Sequence, residues 1–195
     1  MLGLQDNAEL HNLLGEVDEN AGDHVEAARE LQRAAQMDPS EKNIFDWGND
    51  LLLHRAYELA GGIFSRGVQR YPNSAKLLIG LGVTLYSRGK YDEAVDALVQ
   101  ATDLEPSDPR PYLFLGRMLG ISLARADDVA DRQARFLRLQ PRNALANYYY
   151  AMALWKGRRT ESTPETLDRV VALLQTSAKL DPKLSDPHLQ LGNFT

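Results

Sequence analysis

Proline recurs along this chain at a nearly constant interval, and that interval limits what the chain can fold into. Pro39, Pro72, Pro106, Pro141 and Pro182 are separated by 33, 34, 35 and 41 residues. Each closes a segment in which apolar or small residues return every three or four positions. The pattern is plainest from Ala75 to Asp108. Leu78, Leu81, Gly82 and Leu85 mark one stripe, Gly89 a turn, and Tyr91, Ala94, Leu98 and Ala101 a second stripe before Pro106. Spacings of three and four fit the 3.6-residue turn of an α-helix, whereas a strand needs alternation. Each segment therefore reads as two short amphipathic helices. One such pair cannot bury both of its apolar faces, so the repetition itself predicts a stack.

The other segments follow with departures. From Ala8 to Glu41, His11, Leu14, Gly15 and Asp18 hold the first-helix slots, Gly22 the turn, and His24, Ala27, Leu31 and Ala34 the second helix. Asp23 followed by Glu26 suits a capping box. In the segment from Glu41 to Ser74 the stripes are Ile44, Trp47, Gly48, Leu51 and Tyr57, Ala60, Phe64, Gly67, with Arg55 where the turn glycine is expected. Gly61-Gly62 inside the second helix lowers helix propensity by about 1 kcal/mol per glycine, so close helix approach or a weakened helix is expected there.

The segment from Pro109 to Arg142 opens with Tyr112, Leu115, Gly116 and Leu119, is read as lacking the turn glycine, and predicts an irregular turn over 124–127. The segment from Asn143 carries Asn147, Tyr150, Ala151 and Leu154, is interrupted by KGRRTESTPET, and resumes at Thr163 and Pro164 with Leu167, Val170, Val171, Leu174 and Ala178. Thr163 is the expected N-cap and Pro164 the first helical residue. A last unit begins at Ser185 with His188, Leu191 and Gly192.

These residues carry a resemblance to the tetratricopeptide repeat (TPR), whose pattern is a large residue, Leu-Gly, an aromatic, small residues and a closing proline. The resemblance implies an all-α, right-handed superhelical α-solenoid of antiparallel helix pairs, with about five repeats plus one extra helix. It divides the chain into an N-terminal extension, 1–7, and a single TPR solenoid domain, 8–195. The repeats fall at about 8–41, 41–74, 75–108, 109–142 and 143–184, with a partial unit at 185–195. Stopping at Thr195 on an apolar surface without a polar cap leads to the expectation of a longer parent chain.

Composition fits that picture. The chain is 44% hydrophobic and 25% charged, a globular balance. No apolar run approaches the roughly 20 residues of a membrane-spanning helix. MLGLQDNAEL lacks the basic and apolar regions of a signal peptide. No compartment is assigned; the cytoplasm is the first expectation and export the alternative. With no cysteine, disulfides and thiolate chemistry are absent. The net charge of −5 is uneven: residues 1–74 carry 13 acids and 6 bases, and residues 75–195 carry 14 acids and 16 bases.

Chemistry is harder to find. His11, His24, His54 and His188 lie in four separate segments, and no hydrolase, metalloprotease or phosphate-loop motif occurs. His11 and His188 occupy large first-helix slots and read as packing residues. The expectation is no enzyme, no catalytic or metal residue and no cofactor. Arg125, Arg132, Arg135, Arg138 and Arg142 are interleaved with Asp127, Asp128 and Asp131, which reads as a solvated helix face and not a nucleic-acid surface. Arg158-Arg159-Thr160 loosely resembles a basic kinase-type site, but a loop is the expectation.

The resemblance implies that first helices line a concave groove. Carried across, those slots hold Glu9, Asn12, Glu16 and Glu19, then Lys42, Phe45, Asp46, Asn49 and Leu52. Later ones hold Lys76, Ile79, Val83 and Tyr86, then Arg110, Leu113, Phe114, Arg117 and Ile121, then Tyr148, Tyr149, Met152, Trp155 and Lys156. The groove passes from acidic to apolar and aromatic. Its expected peptide-binding residues are Phe45, Asn49, Ile79, Val83, Tyr86, Arg110, Phe114, Arg117, Tyr148, Tyr149, Met152 and Trp155, because aromatics and arginine dominate binding hot spots. A carboxylate clamp for chaperone tails is not expected, since only Asn49 and Arg110 fit it. The implied function is a non-enzymatic scaffold for a peptide or helix of a protein partner. The alternative is a substrate-recruiting arm of a larger enzyme or regulator. A homodimer through Leu189 and Leu191 of an exposed terminal helix is a further partner expectation.

Overall fold

A computed structural model of the chain describes residues 6–156 and 163–194. The arginine-rich interruption Arg158-Arg159-Thr160, most of the N-terminal extension and Thr195 lie outside the described residues. Among the described residues there are eleven α-helices and no strand. The helices are α1 (Ala8–Ala21), α2 (His24–Met37), α3 (Glu41–Leu53), α4 (Tyr57–Arg70), α5 (Ala75–Ser87), α6 (Tyr91–Leu104), α7 (Pro109–Arg117), α8 (Ala126–Leu139), α9 (Ala144–Lys156), α10 (Pro164–Leu180) and α11 (Ser185–Leu191). None is long and apolar enough to cross a membrane.

Helix starts follow capping chemistry. Asn7, Asp23, Ser40, Ser74, Asp108 and Thr163 each accept a hydrogen bond from a backbone N–H two or three residues on. The Asp23 cap and the Thr163-Pro164 start are as the sequence predicts. The turns divide by backbone need. Gly22 and Gly89 have φ of 86° and 75°, and at the equivalent corner after α3 the residue is Arg55, with φ of 60°. The fourth repeat corrects the expectation of a missing turn glycine. Gly120, at φ 84°, turns the chain early. Helix α7 therefore ends at Arg117, and a short 3-10 turn, Leu123–Arg125, leads into α8. Leu119 and Ile121 consequently lie beyond α7, and Ile121 is exposed.

The chain divides into two compact units, residues 1–89 and 90–195. In the first, α1 packs on α2, α2 on α3, α3 on α4 and α4 on α5. The short connections make neighbours antiparallel. The core centres on Ala60, Phe64 and Leu77, with Ile44, Phe45 and Leu51 against it. Phe64 is fully buried, and its ring lies where α3 and α5 come close: a Cβ on Gly80 would stand 2.4 Å from the ring, and one on Gly48 2.9 Å. Helix α4 runs unbroken through Gly61-Gly62. The close approach at Gly61 is by the Arg88 guanidinium, which pairs with Glu58 at 2.6 Å.

In the second unit α6 packs on α7, α7 on α8, α8 on α9, α9 on α10 and α10 on α11. Tyr112 and Phe136 stack with centroids 4.3 Å apart and join Ala146 in one cluster. Ala151, Val170 and Leu174 form another, covered in part by Leu191 and Phe194. Leu191 is therefore partly packed, whereas Leu189 is exposed. His188 is also exposed and not the packing residue expected from its slot.

Polar bonds span about one repeat length within each unit. Tyr71 Oη donates to the Pro39 carbonyl over 32 residues, Gln140 Nε2 to the Ser107 carbonyl over 33, and Ser177 Oγ to the Ala144 carbonyl over 33. Ion pairs of Asp103 with Arg132 and Arg135 and of Asp96 with Arg125 follow the same interval.

Candidate functional site

In the first unit the expected groove residues come from α3 and α5. Phe45 is half-buried, 6.2 Å from the Phe64 ring, with the Lys76 ammonium 5.4 Å from its own ring centre. Phe45 is thus held between core packing and a cation. Val83 and Tyr86 are half-buried, whereas Ile79 is buried in the core. Ile79 belongs to packing because α5 carries apolar residues on nearly every face: Leu77, Leu78, Ile79 and Leu85 are all buried.

The acidic slots before α3 are more neutralised than the sequence suggests. Asn12 is buried and donates to Asp46 Oδ2 at 2.9 Å, while Lys42 bonds Asn12, lies 2.8 Å from Asp46 and reaches Glu16 at 3.6 Å. The Asp46 hydrogen bond, reinforced by Glu16, raises the Lys42 pKa against the opposing effect of burial. Asn49 borders a cavity of about 150 Å³ with Glu16, Glu19, Asp46 and Asp50.

In the second unit the expected residues converge better. Arg117 lies 5.3 Å from the Phe114 ring centre. Burial pushes the Tyr149 phenol up, and Arg117 partly offsets it. Tyr148 and Tyr149 have ring centroids 5.2 Å apart, tilted by 58°. The Tyr149 ring lies flush against α7, since a Cβ on Gly116 would meet it at 2.2 Å. Arg117, Tyr148, Tyr149, Met152, Lys156 and Asp186 line a recess of about 320 Å³. Met152 forms its buried floor.

Two other expected residues stand apart from the recess lining. Arg110 is held by Asp108, the N-cap of its own helix, at 2.6 Å. Trp155 packs edge-on against Phe194 with centroids 4.0 Å apart and remains 41% exposed.

The sequence reading of scattered histidines needs correction. His24 and His54 come together, with ring centroids 4.3 Å apart, and both meet Glu19. His11 is buried, between Asp6 and Glu30. The overlooked signal is the interval: Glu19 and His54 are 35 residues apart, close to one repeat.

Stacked helix pairs offering first-helix side chains define a class of helical repeat proteins. Residues 72–119 match a family model described as TPR repeat. That segment carries a TPR match, and the chain as a whole has the fold of TPR proteins.

Similar solved structures agree in fold. YrrB, described as a TPR protein with an unusual peptide-binding site, superposes with a TM-score of 0.71 at 15% identity, over 96% of this chain and 93% of that one. MamA (residue 41 to the end) from Desulfovibrio magneticus RS-1 gives 0.67 at 19% identity, over 89% and 98%. TTC0263, a thermophilic TPR protein of Thermus thermophilus, gives 0.59 at 17% identity, over 95% and 97%. No match was found among curated proteins.

Proposed function

We propose that this chain is a non-enzymatic binding scaffold and that its second unit receives a short peptide in the recess between α7 and α9. The observation that carries this reading is the recess of about 320 Å³, which falls within the range of roughly 300–1,000 Å³ for small-ligand sites. Its walls supply the chemistry. Tyr148 and Tyr149 offer aromatic faces, Arg117 and Lys156 two cations, and Asp186 an acceptor for a backbone N–H. This set suits a peptide segment with a carboxylate beside an apolar side chain. Phe114, stacked with Arg117, extends the same surface along α7. The fold supports the general role, since YrrB is described as having a peptide-binding site. In the first unit, Phe45, Asn49, Val83 and Tyr86 are the side chains proposed to contact a partner.

The test is a fluorescence-polarisation screen of an acidic–aromatic peptide library, followed by titration of variants. Arg117→Ala and Tyr148→Ala are each expected to weaken the best binder by roughly tenfold, as hot-spot residues do. Arg110→Ala is expected to leave it unchanged, because Arg110 is already engaged by Asp108. Equal affinity across wild type, Arg117→Ala and Tyr148→Ala would remove the recess from the reading.

A further inference from the structure

Helices α1 and α3 end beside one another in the first unit, and neither has a basic residue in its last turn. Their terminal carbonyls leave partial negative charge at one corner of the fold, which favours a cation there. Side chains of the corner reinforce this. Glu19, in the last turn of α1, lies 2.8 Å from His24 Nδ1, the first residue of α2. Both of its carboxylate oxygens also lie 3.1 Å from His54 Nε2, at the C-cap of α3. One ligand atom from each of the three residues fits within a span of 4.8 Å.

Asp50 supplies a second and independent observation. It sits one turn before His54, with Oδ1 3.7 Å from His54 Nε2. Its side chain is only 4% exposed, and neither carboxylate oxygen has a hydrogen-bond partner among the described residues. A buried carboxylate without partners is unfavourable unless a cation or donors reach it. Burial accordingly pushes its pKa up, and Glu19 adds to that shift while His54 and His24 oppose it. Core packing does not explain an unpartnered acid here; a charge arriving at the corner does.

We propose that Glu19, His24, His54 and Asp50 form a binding site for a divalent transition-metal ion of the zinc class. Two imidazoles and two carboxylates make a four-donor N/O set, and His nitrogen and Asp or Glu oxygen are both ligands that zinc takes. At zinc–nitrogen distances of roughly 2.0–2.1 Å, tetrahedral ligand atoms lie roughly 3.3 Å from each other. Glu19 lies 2.8 Å from His24 and 3.1 Å from His54, near that value, and Asp50, 3.7 Å from His54 alone, is the fourth donor that closes on the ion. The imidazoles select against calcium and magnesium, which prefer all-oxygen shells. The ion would clip the α1–α2 turn to the end of α3, adding a coordination link to the packing of the first two helix pairs. His11 is not part of the set, because its two nitrogens are taken by Asp6 and Glu30.

The experiment is calorimetric titration of the untagged full chain with zinc chloride, paired with cobalt(II) titration followed by visible absorption. One equivalent is expected to bind, with cobalt bands of tetrahedral intensity. His54→Ala and His24→Ala are expected to weaken zinc by more than the roughly 10–100-fold that loss of an outer-shell partner costs. Both residues sit at helix ends and are partly or largely exposed, so the fold should survive, and far-ultraviolet circular dichroism checks that it does. Glu19→Gln, which keeps the side-chain shape, is a second variant expected to lose affinity, and Asp50→Asn is expected to shift the cobalt spectrum. His188→Ala is the control and should bind as wild type. Absence of saturable zinc binding overturns the proposal, as does binding that survives both His54→Ala and Glu19→Gln.

Discussion

Substituting Gly80 by alanine should destabilise the first unit even though alanine is the better helix former. A Cβ at Gly80 would lie 2.4 Å from the Phe64 ring, about 1 Å inside the 3.4 Å where ordinary contact begins. The ring cannot retreat freely, because α3 confines it as well: a Cβ on Gly48 would stand only 2.9 Å from the same ring atoms. Overpacking of this kind costs about 1–3 kcal/mol, and a trapped aromatic belongs at the upper end. The gain in helix propensity returns about 1 kcal/mol. The net loss is about 2 kcal/mol, which at a urea slope of about 2 kcal/mol/M lowers the midpoint by about 1 M. Urea unfolding followed by tryptophan fluorescence in a Trp155→Phe background reads this directly, since Trp47 then reports on α3 alone. Phe64→Leu opens the pinched space, so Gly80→Ala should be better tolerated there, with a coupling of about 1–2 kcal/mol. Strict additivity of the two substitutions, or an unmoved midpoint for Gly80→Ala, would refute the wedge.

Further outcomes follow from other corners of the fold. Arg55→Gly should stabilise the first unit by about 0.5–1 kcal/mol, because a non-glycine residue at φ 60° bears strain that glycine does not; thermal melts check it. The His11 pKa is raised above 6.5, chiefly by its bond to Glu30 and then by Asp6, against burial and Arg33. Its stabilising effect is therefore complete below the unfolded pKa of 6.5 and is lost as pH rises through the higher folded value. Melts in EDTA from about pH 6 to about pH 8.5 should show this decline in the wild type and a flatter profile in His11→Gln. Gly116→Ala should displace Tyr149, whose ring stands 2.2 Å from the position of the added methyl. It should abolish peptide polarisation signal at the recess while leaving the helical circular dichroism band in place.

The helices are legible in the sequence because their evidence is local. Proline stops, Asp23 and Thr163 caps and three-to-four spacing act within a turn or two of chain, and they reappear at those residues in the structure. The fourth repeat departs from expectation because repeat arithmetic outweighs local chemistry there. Gly120 stands in the sequence as a turn signal, but three residues ahead of the expected slot. Side-chain roles are less legible, since a helix packed on two neighbours leaves only a narrow free arc. Ile79 and Met152 differ from Val83 and Tyr148 by a modest rotation about the axis, enough to bury the first two. The Glu19, His24 and His54 cluster depends on how one helix pair is offset on the next, which no local pattern encodes.

The polar ties at about one repeat length bear on how the chain acquires its structure. Within each unit, the long-range polar bonds described above join residues about 30 positions apart, and substantial packing reaches no further than the next helix but one. Contacts this local keep loop-closure entropy small and place the fold among rapid folders. As the chain leaves the ribosome, the partner of most groups is already present or arrives one helix pair later. An incomplete nascent chain can therefore bury nearly everything it has emerged with. For the same reason, duplication or loss of one helix pair alters only the two surfaces it touches, so the length of such a protein can change without refounding its core.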